Sequence, residues 1–147
     1  MSSFIPPGDP GSMKLSRASA IAVFAITLMS ETEKDEPRQG RDLAEELGVP
    51  ADSLLKVMQQ LVRSGLLLSS RGRAGGFRLA RPPENISLLD VVEAVDGELG
   101  GQLTTAEDIR GMHRTKAAVE TAFATTVKSM RHLLGQTSIR DLMNHGH

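Results

Sequence analysis

The sequence predicts a mainly α-helical fold with one small β-hairpin and a long helix near its C-terminus, on three observations. Apolar residues recur at helical spacing through most of the chain. Two short runs, Leu66-Leu67-Leu68 and Phe77-Arg78-Leu79, flank a tip rich in Gly and Arg, the pattern of two strands and a turn. A long amphipathic stretch lies beyond the adjacent glycines Gly100 and Gly101.

Residues 15–29 set Ala18, Ile21, Ala22, Ala25, Leu28 and Met29 at helical spacing, with Ser16 available as N-cap. Residues 31–40 form a charged loop interrupted by Pro37 and closed by Gly40. Residues 41–47 are a short helix with Leu43, Ala44 and Leu47 on one face. Gly48 suits its C-terminus, and Pro50 suits the first position of the next helix.

Residues 51–64 form the most informative helix. Stepped from Ser53, the residues Val57, Leu61, Leu54, Met58, Ala51, Val62 and Leu55 fall between about 40° and 200°. Asp52, Lys56, Gln59, Gln60, Arg63 and Ser53 fill the arc from about 240° round to 0°. The helix docks by one face and presents long donor side chains on the other.

The hairpin follows and ends at Pro82-Pro83. Ser87-Leu88-Leu89-Asp90 then has the form of a capping box, opening a helix that buries Leu88, Val91, Val92 and Val95 and stops at Gly97. In the last helix, residues 115–134, Val119, Phe123, Val127, Met130 and Leu134 follow one stripe flanked by Ala118, Ala122 and Ala124. That stripe needs a partner surface, either its own domain or a second copy of the chain. The expected organisation is a tail or cloning remnant at 1–12, a reading domain at 13–99, and a hinge with a dimerisation helix at 100–147.

Composition narrows the function classes. With no Cys among 147 residues, disulfide frameworks, thiolate-held zinc, cysteine nucleophiles and thiolate-held iron–sulfur clusters are excluded. Four Phe and no Trp or Tyr weigh against stacking platforms for single-stranded nucleic acid. The longest apolar stretch, 18–29, is broken by Ser19 and Thr27 and falls short of the roughly 20 residues of a membrane span, so cytoplasmic residence is expected.

Net charge is −1, from 17 basic and 18 acidic residues, but its distribution is uneven. Between positions 50 and 81 stand Lys56, Arg63, Arg71, Arg73, Arg78 and Arg81 against the single acid Asp52, a local charge of +5. Phosphate neutralisation depends on such local charge. Helix, short helix, tight turn, amphipathic helix and hairpin in this order make a winged helix-turn-helix, in which the second helix of the pair enters the major groove and the hairpin reaches an adjacent groove or phosphate.

The run Ser69-Ser70-Arg71-Gly72-Arg73-Ala74-Gly75-Gly76-Phe77-Arg78-Leu79 resembles the S-x-R-G-x-x-G-G-[YF]-x-L wing of the IscR-like (Rrf-type) winged-helix transcription regulators of bacteria. The following Ile86-Ser87-Leu88-Leu89-Asp90-Val91-Val92-Glu93-Ala94-Val95-Asp96-Gly97 resembles that family's next helix. The resemblance runs from about Met13 to Gly97 and more weakly to Met143. It implies that Arg71 enters the minor groove, that Ser53, Lys56 and Gln60 face the major groove, and that the last helix crosses its symmetry mate. Cluster-binding members carry three cysteines in the loop after Val-Asp-Gly, whereas Glu98 to Thr105 here contains none. The resemblance therefore implies DNA binding without cluster sensing, in a chain responding to a protein partner or a metabolite.

The polar arc is also what a merely solvated helix face looks like, and the adjacent basic wing favours DNA. The Gly72–Gly76 tip lacks the Gly-Lys-Ser/Thr ending and following helix of a phosphate-binding loop. His113, His132, His145 and His147 share no ligand spacing, and Glu45–Glu46 and Glu107–Asp108 point about 100° apart on a helix. No nucleophile–base arrangement stands out, so neither an enzyme nor a cofactor is expected. The expectation is a homodimeric repressor on an inverted-repeat operator. Lys56, Gln59, Gln60 and Arg63 would donate to bases and phosphates, and Arg71 and Arg73 would enter an A·T-rich minor groove. The alternatives are a winged-helix protein–protein module and a small metabolite-binding domain.

Overall fold

The computed structural model describes residues 15–32, 36–100 and 111–145. The expectations placed on the 1–12 tail, on Gly101, on the 102–105 loop, on Glu107 and Asp108, and on His147 lie outside these residues. Six helices, a 3-10 turn and a two-stranded antiparallel hairpin make up the rest, which is the expected fold class: α1 (Arg17–Ser30), α2 (Gly40–Leu47), α3 (Ala51–Arg63), β1 (Leu67–Ser70), β2 (Gly76–Leu79), a turn at Pro83–Asn85, α4 (Leu88–Asp96), α5 (His113–Gln136) and α6 (Ile139–His145).

α1 buries Ile21, Ala22, Ala25, Ile26 and Met29 against α3, α4 and α6. Its start is fixed from both sides. The Ser16 hydroxyl accepts from the Ser19 N–H at 3.0 Å, and the hydroxyls of Ser16 and Ser19 donate to the Asp96 carboxylate at 2.8 and 2.7 Å. Ser19 is fully buried, so Asp96 satisfies a hydroxyl that water cannot reach. The carboxylate also stands at the positive end of the α1 dipole, which it complements. Hydrogen bonds to a charged group contribute about 1.5–3 kcal/mol each. They join the first helix to the last residue of α4.

The helix-turn-helix pair follows. Gly48 closes α2 with φ 68°, the left-handed conformation that glycine adopts without a Cβ penalty. Val49 N–H donates to the Ala44 carbonyl at 3.0 Å and turns the chain into α3. Pro50 occupies the N-cap and not the expected first helical position. Its ψ of 137° is extended, while its carbonyl already accepts from Leu54 at 3.1 Å. α3 buries Leu54, Val57, Met58 and Leu61, as its spacing predicts; full burial of each such side chain contributes about 1.5–3 kcal/mol. The core continues through Leu43, Leu66, Leu67, Ile86 and Val91.

α6 stands where the sequence predicts only the end of the dimerisation segment. Ile139 is fully buried in the same core as α1, and Leu142 and Met143 pack beside it. Two capping boxes hold it there. Ser87 and Asp90 cap α4 reciprocally at 2.9 and 3.0 Å, as expected, and Ser138 and Asp141 repeat that geometry on α6 at 3.0 and 2.9 Å. The two helix starts also bond to each other, Leu88 N–H to the Thr137 carbonyl at 2.7 Å and Ile139 N–H to the Ile86 carbonyl at 2.9 Å. Ser138-Ile139-Arg140-Asp141 repeats the Ser-x-x-Asp spacing of Ser87–Asp90, a signal that would have found α6.

The Ser138 N–H, and secondarily its hydroxyl, hold the Asp141 carboxyl below its ordinary range. A carboxyl with a depressed folded value adds stability above its unfolded value of about 3.9 and loses it as pH falls through the folded value. Asp141→Asn is therefore expected to lower the urea midpoint clearly at pH 7, with the gap to wild type narrowing below about pH 4. A gap that stays constant across this range in equilibrium unfolding would show that the cap works without its charge.

Candidate nucleic-acid interface

The hairpin is held to the helix-turn-helix by backbone contact. Leu67 pairs with Leu79 and Ser70 with Gly76 across the two strands. The free edge of β2 is then closed by Arg38, whose N–H donates to the Phe77 carbonyl and whose carbonyl accepts from the Phe77 N–H, both at 2.8 Å. Just beyond, the Gln39 amide donates to the carbonyls of Arg73 and Gly75 at 3.3 Å, tying the hairpin tip to the start of α2. The Arg38 guanidinium pairs with Glu46 at 2.5 Å and donates to the Thr32 hydroxyl at 3.2 Å. The loop expected between α1 and α2 thus contributes a single-residue β-bridge to the wing.

The Gly-Gly of the wing motif follows from this approach. Gly76 has φ 142°, and a Cβ there would lie 2.5 Å from the Arg38 carbonyl oxygen. A Cβ on Gly75 would lie 2.3 Å from the Ser70 carbonyl oxygen. Neither backbone contact can yield without moving the tip.

On α3 the exposed arc is rotated relative to the expected one. Asp52, Lys56, Gln59 and Arg63 are exposed, but Ser53 and Gln60 are half-buried. Gln60 donates to the Val95 carbonyl at 3.5 Å, so it leans on α4. Leu55, placed by its spacing at the end of the apolar face, is exposed and absent from the core. The open arc therefore runs from Leu55 through Gln59, Asp52 and Arg63 to Lys56.

The cations sort by their partners. Arg81 pairs with Asp90 at 3.9 Å and donates to the Asn85 carbonyl, so one of the six charges of the basic block is spent inside the fold. Arg38, Arg131 and Arg140 likewise pair with Glu46, Glu93 and Glu84. Lys56, Arg63, Arg71 and Arg73 are exposed, and their side chains pair with no described residue. Arg41, in the first turn of α2, shares this condition and was not singled out from the sequence. These unpaired cations lie on α2, α3 and the hairpin tip, around a shallow concavity lined by Gln39, Arg41, Asp52, Leu55, Ser70 and Phe77, among others.

The last helix carries two faces. No residue of α5 is buried. Stepped from Val119, the half-buried Leu134, Val127 and Arg131 lie between about 60° and 120°, and the exposed Ala122, Leu133 and Thr126 between about 300° and 340°, with Val119, Met130 and Phe123 bridging the two. The first set turns toward the chain's own body. Arg131 donates to Glu93 at 2.5 Å and to the Leu99 carbonyl at 3.0 Å, and the Leu99 N–H donates to Glu93 at 2.8 Å. The Glu93 contact raises the Arg131 guanidinium above its ordinary value. The second set is bare, with Leu133 65% exposed, and so are two of the bridging residues, Val119 at 39% and Phe123 at 53%; Leu133 was not foreseen from the stripe.

A helix-turn-helix whose second helix is open along one arc, with a glycine-anchored basic hairpin beside it, defines a winged helix-turn-helix protein. The chain belongs to the Rrf2 family, described as iron-dependent transcriptional regulators, whose profile matches residues 15–145. It is 28% identical over 130 residues to the HTH-type transcriptional regulator Rv1287 of Mycobacterium tuberculosis, covering 88% of this chain and 81% of that one. Among solved structures it resembles CymR, the global cysteine regulator of Bacillus subtilis, with TM-score 0.69 and 20% identity over 91% of this chain and 98% of that one. It also resembles a transcriptional regulator from Listeria innocua, with TM-score 0.74 and 24% identity over 95% and 92% of the two chains. The family consists of DNA-binding transcription regulators and not enzymes.

The family's iron does not fit these residues as a thiolate-held cluster, because the chain has no Cys to supply a ligand. The described residues also contain no group of three or more His, Asp or Glu placed to hold a metal ion. Among the described residues, no helix is long and apolar enough to cross a membrane.

Gly76→Ala tests the anchoring of the wing. The Arg38 bridge should open, and duplex affinity should fall at least tenfold in fluorescence anisotropy while far-UV circular dichroism keeps its helical signal. Unchanged affinity would mean that the hairpin tip does not need its seat on Arg38.

Proposed function

We propose that the protein is a repressor that binds an inverted-repeat operator as a homodimer, with α3 in the major groove and the 71–76 tip in the flanking minor groove. The observation that carries this reading is that five cations without a described ionic partner, Arg41, Lys56, Arg63, Arg71 and Arg73, stand together on α2, the open arc of α3 and the hairpin tip. Charges left without protein partners are available to neutralise phosphates and release their counterions. Lys56, Gln59 and Arg63 donate to base edges and phosphates; Arg71 and Arg73 favour a narrow, A·T-rich minor groove. Gln60 holds the flank of α3 against α4 and in this reading positions the helix, with the half-buried Ser53 beside it at the border of the arc.

A two-fold dimer presents two copies of α3 to half-sites one or more helical turns, about 34 Å each, apart. The bare edge of α5 at Val119, Phe123 and Leu133 is the surface proposed to meet its mate, with Met130 at its border. Val127 and Leu134 instead seat α5 on its own protomer. Residues up to 99 act as the reading unit and α5 as the dimer element, with α6 returning to the reading unit's core. The signal is a protein partner or a metabolite that changes the angle between α4 and α5 near Gly100. A cytoplasmic location follows from that role.

Selection of bound duplexes from a random pool by the purified full chain should return an inverted repeat. Arg71→Ala should weaken binding to it and lower the slope of log K against log salt by about one. An unchanged affinity and slope would remove the tip from the interface. Phe123→Glu should convert the dimer to monomer in light scattering with unaltered helical content, and a variant that stays dimeric would remove this edge of α5 from the interface.

A further inference from the structure

We infer that Leu55 reads the 5-methyl group of a thymine in the major groove, an inference that rests on the DNA-binding reading above. Every other large apolar residue of α3 faces the body: Leu54, Val57, Met58 and Leu61 are buried and Val62 is half-buried. Leu55 is 37% exposed and takes no part in the core. An exposed leucine alone is ordinary; its surroundings are what distinguish it. It stands at the wing-side end of the open arc, beside Asp52, Gln59 and Lys56, and helps to line the concavity between α2, α3 and the hairpin.

Its position is held from below. A Cβ on Gly40 would lie 2.8 Å from Leu55 Cδ2 and 3.4 Å from Phe77 Cε2, so leucine and wing aromatic share the space over the bare Cα of Gly40. This close seat presents the isobutyl group toward the groove at a defined height. Arg41 lines the concavity together with the acids Asp42 and Asp52; Lys56 follows Leu55 on the open arc, and Arg71 and Arg73 flank the lining Gly72, all four cations without described ionic partners. The four cations around this site outnumber its two acids, which favours a polyanion as the occupant over an apolar peptide or the same face of a second copy. On a DNA duplex, the one apolar group displayed in the major groove is the thymine methyl. A leucine there also leaves an adenine N6 or cytosine N4 donor without an acceptor, which penalises those bases.

The test uses the operator selected from a random pool by the full chain. Each thymine of the half-site is replaced in turn by uracil, which removes the methyl group alone. Wild type is expected to lose about fourfold in affinity at one position per half-site, the value of one buried methyl. Leu55→Ala should bind the thymine and uracil duplexes equally, and Leu55→Met, which keeps apolar reach, should still discriminate. The inference is overturned if wild type ignores uracil at every position, if the half-site holds no thymine, or if Leu55→Ala discriminates as wild type does. A pool that returns no preferred sequence is a different result: it refutes the DNA-reading assignment itself, and the inference with it. Affinity for random duplex and circular dichroism of both variants separate lost reading from lost folding. If Leu55→Ala does not fold, the wild-type uracil series and Leu55→Met decide.

Discussion

Burial of Leu54, Val57, Met58 and Leu61 fixes the rotation of α3 about its own axis, and the interface depends on that rotation. These four side chains fill the space between α1, α2 and α4, where close packing leaves no room for a rotated alternative. A turn of about 100° would bring Lys56 or Arg63 into the core without a partner, at a cost of several kcal/mol. With the buried face set, the open arc is set as well. α1 supplies the wall that the helix packs on, and Asp96 ties that wall to α4 through Ser16 and the buried Ser19.

A second constraint positions the hairpin relative to that arc. The backbone of Arg38 closes the edge of β2 and needs the bare Cα of Gly76 beneath its carbonyl. Gln39 then holds the tip from the side. Arg71 and Arg73 consequently project from a fixed base. Rigid presentation limits the ordering entropy paid on binding, which favours affinity for a surface as regular as a duplex.

Much of this architecture was legible in the sequence. The Ser16 cap, the Gly48 turn, the Ser87–Asp90 capping box and the buried centre of α3 all rest on local rules and appear where those rules put them, while the edges of α3's polar arc do not. The wing motif was legible too, although the reason for its two glycines was not, since Arg38 lies far away in the chain. α6 escaped notice because seven residues are too short to show a period. Its Ser138–Asp141 cap was a readable signal in a segment assigned to another role.

The class of protein is written in local signals: helix periodicity, caps, the glycine-rich hairpin and a basic block contiguous between Lys56 and Arg81. The chain's lack of cysteine also excludes thiolate ligation. Which members of these sets are free to act follows instead from the packing of distant segments. Arg81 is neutralised by Asp90, Gln60 leans on α4, Leu55 stands open, and the stripe on α5 divides into a seated face and a bare one. A helical wheel ranks residues by angle alone, whereas exposure depends on where neighbouring elements end. Those limits are set by packing among α1, α4 and the wing, which are distant in sequence and adjacent in space.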